Sequence, residues 1–580
     1  MSDELGGTSA TPFSGVGTAV WYEAGVDLPE PPDPDDVDPA AERERVAATR
    51  EEAREQLRTE RDRTAERVGA AEAAIFEAHE GFLDDPRIAD WIDDAIDDGL
   101  PAPHAVDRAY ADAAAELEAA GGRTAERADD LRDLRDRLVG ILLDAAAARL
   151  DDLPGGTVLL AERLSPSDTA GLDPEVVAGL ATVTGGATSH AAIVARSLGI
   201  PAVVGVGEAL RAVEAGATVG VDGGAGTVFV DPDDATRERL AGGDAVAVID
   251  RAVATADGRP VEVVANVGGP GDVDRAVERG SDGVGLFRSE FLFQGRERPP
   301  DEDEQYAAYR EAAAAFPDGR VVVRTLDVGG DKPLPYLDAP EERDPFLGVR
   351  GVRRSLGPDA DLFETQLRAL CRAAADGDGD GDRDADSDGD RDSDVGDLAV
   401  MIPMVATVEE LDAALARLDS VADDLADEGV AHAVPETGVM IETPSAAFVA
   451  GALAERVSFL SVGTNDLTQY VMAASRENAG VADLNHPTHP GVVRAVARTA
   501  EAGHDAGARV AMCGEAAGDP RLAPLLVGLG IDEFSAAPPS VPRVKAAIED
   551  VDAAAAERLA ERALAAETRA EVEAVLDGDG

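Results

Sequence analysis

Phe459-Leu460-Ser461-Val462-Gly463-Thr464-Asn465-Asp466 is a short apolar run that stops at a glycine and turns polar. Val439-Met440-Ile441-Glu442 stops in the same way at an acid, and Val510-Ala511-Met512-Cys513 at a thiol. Further out, similar runs lie at Val261–Asn266, Gly283–Arg288, Val321–Arg324, Ala399–Pro403 and Asp532–Ser535, with helical stretches between them. Eight alternating βα units predict a (β/α)8 TIM barrel, in which chemistry sits at the C-terminal ends of the strands. The expected strands end in Asn266, Arg288, Arg324, Glu442, Asn465-Asp466 and Cys513. A purely structural barrel does not require guanidinium groups, carboxylates and a thiol gathered at one rim.

Upstream of the barrel the grammar changes. A strand-like stretch at Gly17–Tyr22 precedes an acidic, proline-rich linker, Leu28–Pro39. From about Ala40 to Leu150 the chain is rich in Ala, Glu, Arg and Leu. Breaks near Asp84-Asp85-Pro86, Leu100-Pro101 and Gly121-Gly122 divide it into roughly four helices. Strand signals resume at Thr157–Ala161, so the helical block reads as an insertion into an α/β domain whose first strand lies before it.

That α/β domain carries Thr184-Gly185-Gly186-Ala187-Thr188-Ser189-His190, followed by an apolar stretch that ends at Gly199-Ile200-Pro201. Ser189 suits an N-cap, Gly199 a C-terminal cap, and Pro201 forbids continuation. His190 is therefore expected in the first turn of a short helix. There the helix dipole and free backbone N–H groups would stabilise an anionic group carried on the imidazole.

Composition narrows the class. The chain of 580 residues holds 116 acidic and 52 basic residues, a formal net charge of −64. Such self-repulsion destabilises a compact chain in dilute buffer, but at molar salt the screening length falls to about 3 Å. The composition thus predicts a protein adapted to a high-salt cytoplasm. No basic stripe is available for nucleic acid. No apolar run is long enough to insert into a membrane, and the acidic start of the chain lacks a signal-peptide core. Two cysteines, Cys371 and Cys513, give no disulfide framework and fit a reducing compartment.

Only Lys332 and Lys545 are lysines. In so lysine-poor a chain, either could serve where a compact point charge is needed. Lys545 has no motif around it and is expected to be incidental. Asp376–Asp397, with eleven aspartates, twice spells Asp-x-Asp-x-Asp-Gly but places Ser387 and Val395 where an EF-hand needs glutamate. It reads as a solvated loop.

Taken together, the motifs resemble enzyme I of the sugar phosphotransferase system, within the phosphoenolpyruvate-utilising enzymes. Gly-Gly-Ala-Thr-Ser-His at 185–190 resembles the family's phosphohistidine loop. Gly285–Phe293, Arg324–Lys332, Phe346–Arg350, Met440–Pro444, Gly463–Tyr470 and Met512–Glu515 match, in order, along nearly the whole chain. The resemblance implies a swivelling phosphohistidine α/β domain (1–35 and 151–245), an inserted helical domain (36–150) that binds the phosphocarrier protein HPr, and a barrel (255–580) that binds phosphoenolpyruvate. It further implies a homodimer formed through the barrel. The implied activity moves the phosphoryl group of phosphoenolpyruvate to His190, as tele-phosphohistidine, and then to HPr, releasing pyruvate. By the same resemblance Arg288, Arg324, Lys332, Arg350, Asn465, Asp466 and Arg476 contact substrate. Glu442 and Asp466 hold Mg²⁺, and Cys513 donates the proton that completes pyruvate. Thr169 is a candidate partner for the resting imidazole, and His486 and His489 could support the barrel mouth. Ala187 departs from the arginine that many family members carry in the His loop. The nearest rival, a pyruvate-water or pyruvate-phosphate dikinase relative, needs a nucleotide-grasping domain for which no residues remain. A Walker-type phosphate loop is also missing.

Overall fold

The computed structural model describes the chain except residues 1–2, 12, 23–27, 68–74, 121–126, 145–149, 151–152, 166–167, 170–171, 175, 187–188, 242–246, 295, 297, 330–333, 335, 338–341, 343, 378–394, 476–480, 482–483 and 579–580. It divides into two compact units, residues 1–245 and 246–580.

In the first unit, eight strands form one sheet. They are β1 (Asp3–Gly6), β2 (Thr8–Ser9), β3 (Ser14–Tyr22), β4 (Thr157–Ala161), β5 (Val177–Thr182), β6 (Ala202–Val204), β7 (Thr218–Asp222) and β8 (Thr227–Val230). Their order is β1-β8-β7-β3-β4-β5-β6-β2. β3 to β6 run parallel at the centre. Every residue of β4 is buried, as a central parallel strand requires. Tyr22 on β3 pairs with Ala161 on β4, so the helical block fills the crossover between two neighbouring strands. Sequence reading started β3 at Gly17 and did not find β1 or β2. Those two are short edge strands held by their partners β8 and β6, not by an apolar alternation of their own.

The insert contains helices Pro39–Arg67, Ile75–Leu83, Pro86–Asp97, Ala102–Ala120 and Ala128–Leu142, five among the described residues where four were expected. The expected break at Asp84-Asp85-Pro86 is a helix start: Asp85 accepts from the N–H of Arg87 and Pro86 occupies the first turn. Leu57, Phe76, Leu83, Ile92, Tyr110 and Leu134 belong to the insert's own apolar core.

In the second unit, β9 (Val253–Ala254) pairs antiparallel with β10 (Pro260–Val267). β11 (Val284–Arg288), β12 (Arg320–Arg324), β13 (Asp397–Ile402), β14 (Glu436–Ile441), β15 (Phe459–Val462), β16 (Arg509–Met512) and β17 (Glu533–Ala536) follow in order. Each pairs parallel with the next, and β17 returns to β10, closing an eight-stranded barrel. All eight lie where the apolar runs predicted them. Leu286, Val322, Ala399, Met401, Met440 and Phe459 fill the interior. Gly438 is required beside that filling, because a Cβ there would meet the Phe459 ring at 2.2 Å. The aspartate-rich segment joins helix Ala360–Gly377 to β13, and most of it lies outside the described residues. Among the described residues, no helix is long and apolar enough to cross a membrane.

Candidate active site

The helix that begins at His190 runs to Leu198. Ser189 is its N-cap, extended at φ −62° and ψ 152°, with its hydroxyl accepting from the N–H of Ala192. Gly199 ends it in the left-handed conformation at φ 74°, as the sequence predicted. The first-turn N–H groups of such a helix have no acceptor within the helix itself, an end that suits an anion. The side chain of His190 lies outside the described residues, as do Ala187, Lys332 and Arg476. Thr169 is buried, and its backbone N–H donates to the Ser165 carbonyl. Next to it, Asp168 accepts from the Tyr22 hydroxyl and from the N–H of Ser165. Burial and the nearby charge of Asp133 push the Asp168 carboxyl up to about 6.

The second unit gathers the remaining groups at the C-terminal ends of its strands. Arg288 ends β11 and Arg324 ends β12. Glu442 follows β14, Asp466 lies in the first turn of helix Thr464–Met472 after β15, and Cys513 follows β16. A buried ion network links Arg324 to Asp466. Arg324 pairs with Glu290 and, through Nη1, with Asp327 Oδ2 at 3.1 Å. Arg350 presents Nε and Nη2 to the two oxygens of Asp327, and its Nη2 also reaches Asp466 Oδ2 at 3.0 Å. Burial opposes charge on Arg324, but Glu290, Asp327 and Glu442 outweigh it and raise its pKa further. Arg324 is therefore a fixed cation in a dry site. Two further donors, Arg288 Nε and Arg324 Nε, are buried without a protein acceptor among the described residues. An anion that brings acceptors of its own suits them.

Glu442 accepts the N–H of Met404 at 2.6 Å. Burial, then the charges of Asp327 and Asp466, push its carboxyl up to about 8. A divalent cation would relieve that crowding, and hard carboxylate oxygens are the donors Mg²⁺ accepts. Among the described residues no cluster of three or more His, Cys, Asp or Glu side chains is arranged as a complete metal cage. Glu442 and Asp466 are two carboxylates that could hold such an ion where substrate oxygens complete the shell.

Cys513 is buried, with Sγ 3.8 Å from the Val462 carbonyl oxygen. Burial pushes its thiol up to about 11. Asn266 holds the segment from below, donating to the carbonyls of Cys513 and Ser535. Asn465 accepts from the N–H of Glu515 at 3.0 Å, leaving its amide N–H groups as donors. At Gly514 a Cβ would lie 1.7 Å from Thr464 Oγ1, so the loops after β15 and β16 can approach only because of that glycine. His489 caps helix Pro490–Asp505, and His486 accepts from Thr488. Neither belongs to the arginine network in the hydrogen bonds described.

Sequence reading missed Glu290, Asp327 and Gln366. The two acids lie inside the quoted motifs, and their spacing from the arginines was a usable sign. Gln366, in helix Ala360–Gly377, offered none.

Three family models match in chain order. They are the N-terminal domain of PEP-utilising enzymes (residues 6–127), their mobile domain (153–226) and their PEP-binding domain (245–553). A phosphoenolpyruvate-protein phosphotransferase of Haloferax volcanii is 56% identical over 575 residues, covering 99% of each chain. One from Staphylococcus carnosus is 40% identical over 525 residues, 88% of each. A solved structure described as Enzyme I aligns with 41% of this chain and 96% of its own, at 35% identity and a TM-score of 0.35. The chain belongs to the PEP-utilising enzymes, in the branch of the phosphoenolpyruvate-protein phosphotransferases.

Proposed function

We propose that this chain moves the phosphoryl group of phosphoenolpyruvate to Nε2 of His190 and then to a histidine phosphocarrier of the HPr kind. Pyruvate is released, and the reaction opens a sugar phosphotransferase relay in the cytoplasm. Residues 1–35 and 151–245 form the mobile phosphohistidine domain, 36–150 the carrier-binding insert, and 255–580 the catalytic barrel, through which two copies associate. The observation that carries the reading is the buried Arg324–Asp327–Arg350–Asp466 network, set at the rim of a barrel whose chain also contains a capped helix opening on histidine.

Arg288 and Arg324, with Lys332 and Arg476, neutralise the phosphate and carboxylate of the substrate. Arg350 acts beside them and holds Asp466 in place. Asn465 donates to a phosphate oxygen. Glu442 and Asp466 would hold Mg²⁺, which supplies charge neutralisation for the departing phosphoryl group. The bond from phosphorus to the enol oxygen breaks as a bond to the imidazole nitrogen forms in line. The enolate left behind takes a proton at its methylene carbon from the Cys513 thiol, and water restores that proton. A thiol near pKa 11 stays protonated at neutral pH, which suits an acid rather than a nucleophile.

Incubation with Mg²⁺ and phosphate-labelled phosphoenolpyruvate in molar KCl, without nucleotide, tests the reading. Acid-labile, alkali-stable label is expected on the wild type and absent from His190→Ala. Label on both, or a requirement for ATP as in a dikinase, overturns it.

A further inference from the structure

Gln366 is a neutral side chain in a barrel helix, 1% exposed, and the mechanism above assigns it nothing. Its amide is fully engaged. Oε1 accepts from the backbone N–H of Leu326 at 2.8 Å. Nε2 donates to the Ser289 hydroxyl at 3.1 Å and to the Tyr309 hydroxyl at 3.0 Å. The orientation of the amide is unambiguous, because the Leu326 N–H can only donate. Tyr309 in turn donates to Gln305, whose own amide donates to the Pro300 carbonyl.

The partners of this amide are unequal in their relation to the site. Ser289 immediately precedes Glu290, and Leu326 immediately precedes Asp327. Those carboxylates, one on the loop after β11 and one on the loop after β12, are the two acids that grip Arg324. Asp327 also grips Arg350. Tyr309 and Gln305 belong to helix Glu302–Ala314 and touch neither loop through this chain of bonds. We propose that Gln366 is a positioning residue that ties these two loops together and so sets the spacing of Glu290 and Asp327 around Arg324. A buried amide serves because it offers an acceptor to one loop and a donor to the other with no added charge beside an ion network. The inference rests on the reading that Arg324 binds phosphoenolpyruvate.

Three variants separate positioning from general support. Ser289→Ala cuts the bond to the loop after β11, Tyr309→Phe cuts the bond to the helix, and Gln366→Leu cuts all three. For each, the concentration dependence of His190 labelling by phosphoenolpyruvate is measured, with the thermal midpoint and the transfer from prelabelled His190 to carrier. Small misplacements of a binding group carry large penalties, so Ser289→Ala and Gln366→Leu are expected to raise KM about ten-fold. Tyr309→Phe should stay within about two-fold, since its lost bond lies on the side away from the site. Transfer to carrier, which does not use the barrel, should be unchanged in all three. A wild-type KM in Ser289→Ala, or an equal rise in Tyr309→Phe, overturns the proposal even if Gln366→Leu fails to fold. Absence of label on the wild type sinks the functional reading itself, which is a distinct result.

Discussion

Arg350 and Asp327 meet fork to fork, Nε to Oδ1 and Nη2 to Oδ2, both at 3.0 Å, with 1% and 0% of their side chains exposed. Removing one member of such a pair strands the other charge in a dry interior, which costs about 3–5 kcal/mol. Asp327→Asn keeps the shape and deletes the charge. It should lower the thermal midpoint in molar KCl and weaken phosphoenolpyruvate binding together, because Arg324 uses the same carboxylate. Arg350→Lys should behave similarly, since one ammonium cannot reproduce the planar fork and also reach Asp466. A wild-type midpoint in Asp327→Asn would show that the pair is not buried as described.

Both cysteines should resist alkylation. Burial pushes the Cys513 thiol up to about 11 and the Cys371 thiol up to about 12. The thiolate is the reactive species, so at pH 8 each is scarce as well as shielded. Iodoacetamide at pH 8 is expected to label neither residue in the native protein and both after denaturation, as read by peptide mass. Cys513→Ala should slow pyruvate release while substrate binding persists. Fast native alkylation of Cys513 would contradict its proposed role as a protonated donor.

Asp168 gives a pH dependence whose sign follows from linkage. Burial and Asp133 raise its folded pKa to about 6, above the ordinary carboxylate value, although the Tyr22 and Ser165 hydrogen bonds pull the other way. The folded protein therefore holds a proton that the unfolded chain has released. This stabilising contribution is complete below the unfolded pKa and is lost as pH rises from about 4 through about 6. Asp168→Asn removes the titration. Its midpoint relative to wild type should be more favourable at pH 7.5 than at pH 4, and an offset independent of pH would refute the assignment.

The barrel was legible because its strands are short apolar runs that end in chemistry, and Glu442, Cys513 and the two rim arginines fell where those runs stop. The helix at His190 was legible for a local reason too, since both of its caps are written in Ser189 and Gly199. β1 and β2 were not, because pairing with distant strands makes them strands. Asp327 became a keystone only when the chain brought Arg350 onto it beside Arg324, and no periodicity encodes that. The same holds for Gln366, whose partners come from three separate elements. Lys545 is the clearest case of a misjudged residue. Sequence reading treated it as incidental, and its meaning lies in carbonyls nearly three hundred residues earlier in the chain.

Lys545 is fully buried, and its ammonium group has three partners: the carbonyls of Ile249 and Arg251 at 3.1 and 2.9 Å, and Asp282 Oδ1 at 2.6 Å. Asp282 uses its other oxygen to accept from the N–H of Val263 at the start of the barrel. One lysine thus fastens the segment entering the barrel to helix Val541–Glu549 and to the turn before β11. The three protons of an ammonium diverge from a single atom, whereas a guanidinium is planar and larger. This explains why lysine survives here in a chain that otherwise uses arginine. Lys545→Met leaves two carbonyls and a carboxylate without their donor, a loss on the order of 2 kcal/mol. Lys545→Arg should be destabilised as well, since a larger planar group would have to fit a fully buried site whose three acceptors converge on one atom. Urea unfolding in molar KCl should show lower midpoints for both, and wild-type stability in Lys545→Arg would mean that charge alone, not the compact ammonium, is what the site requires.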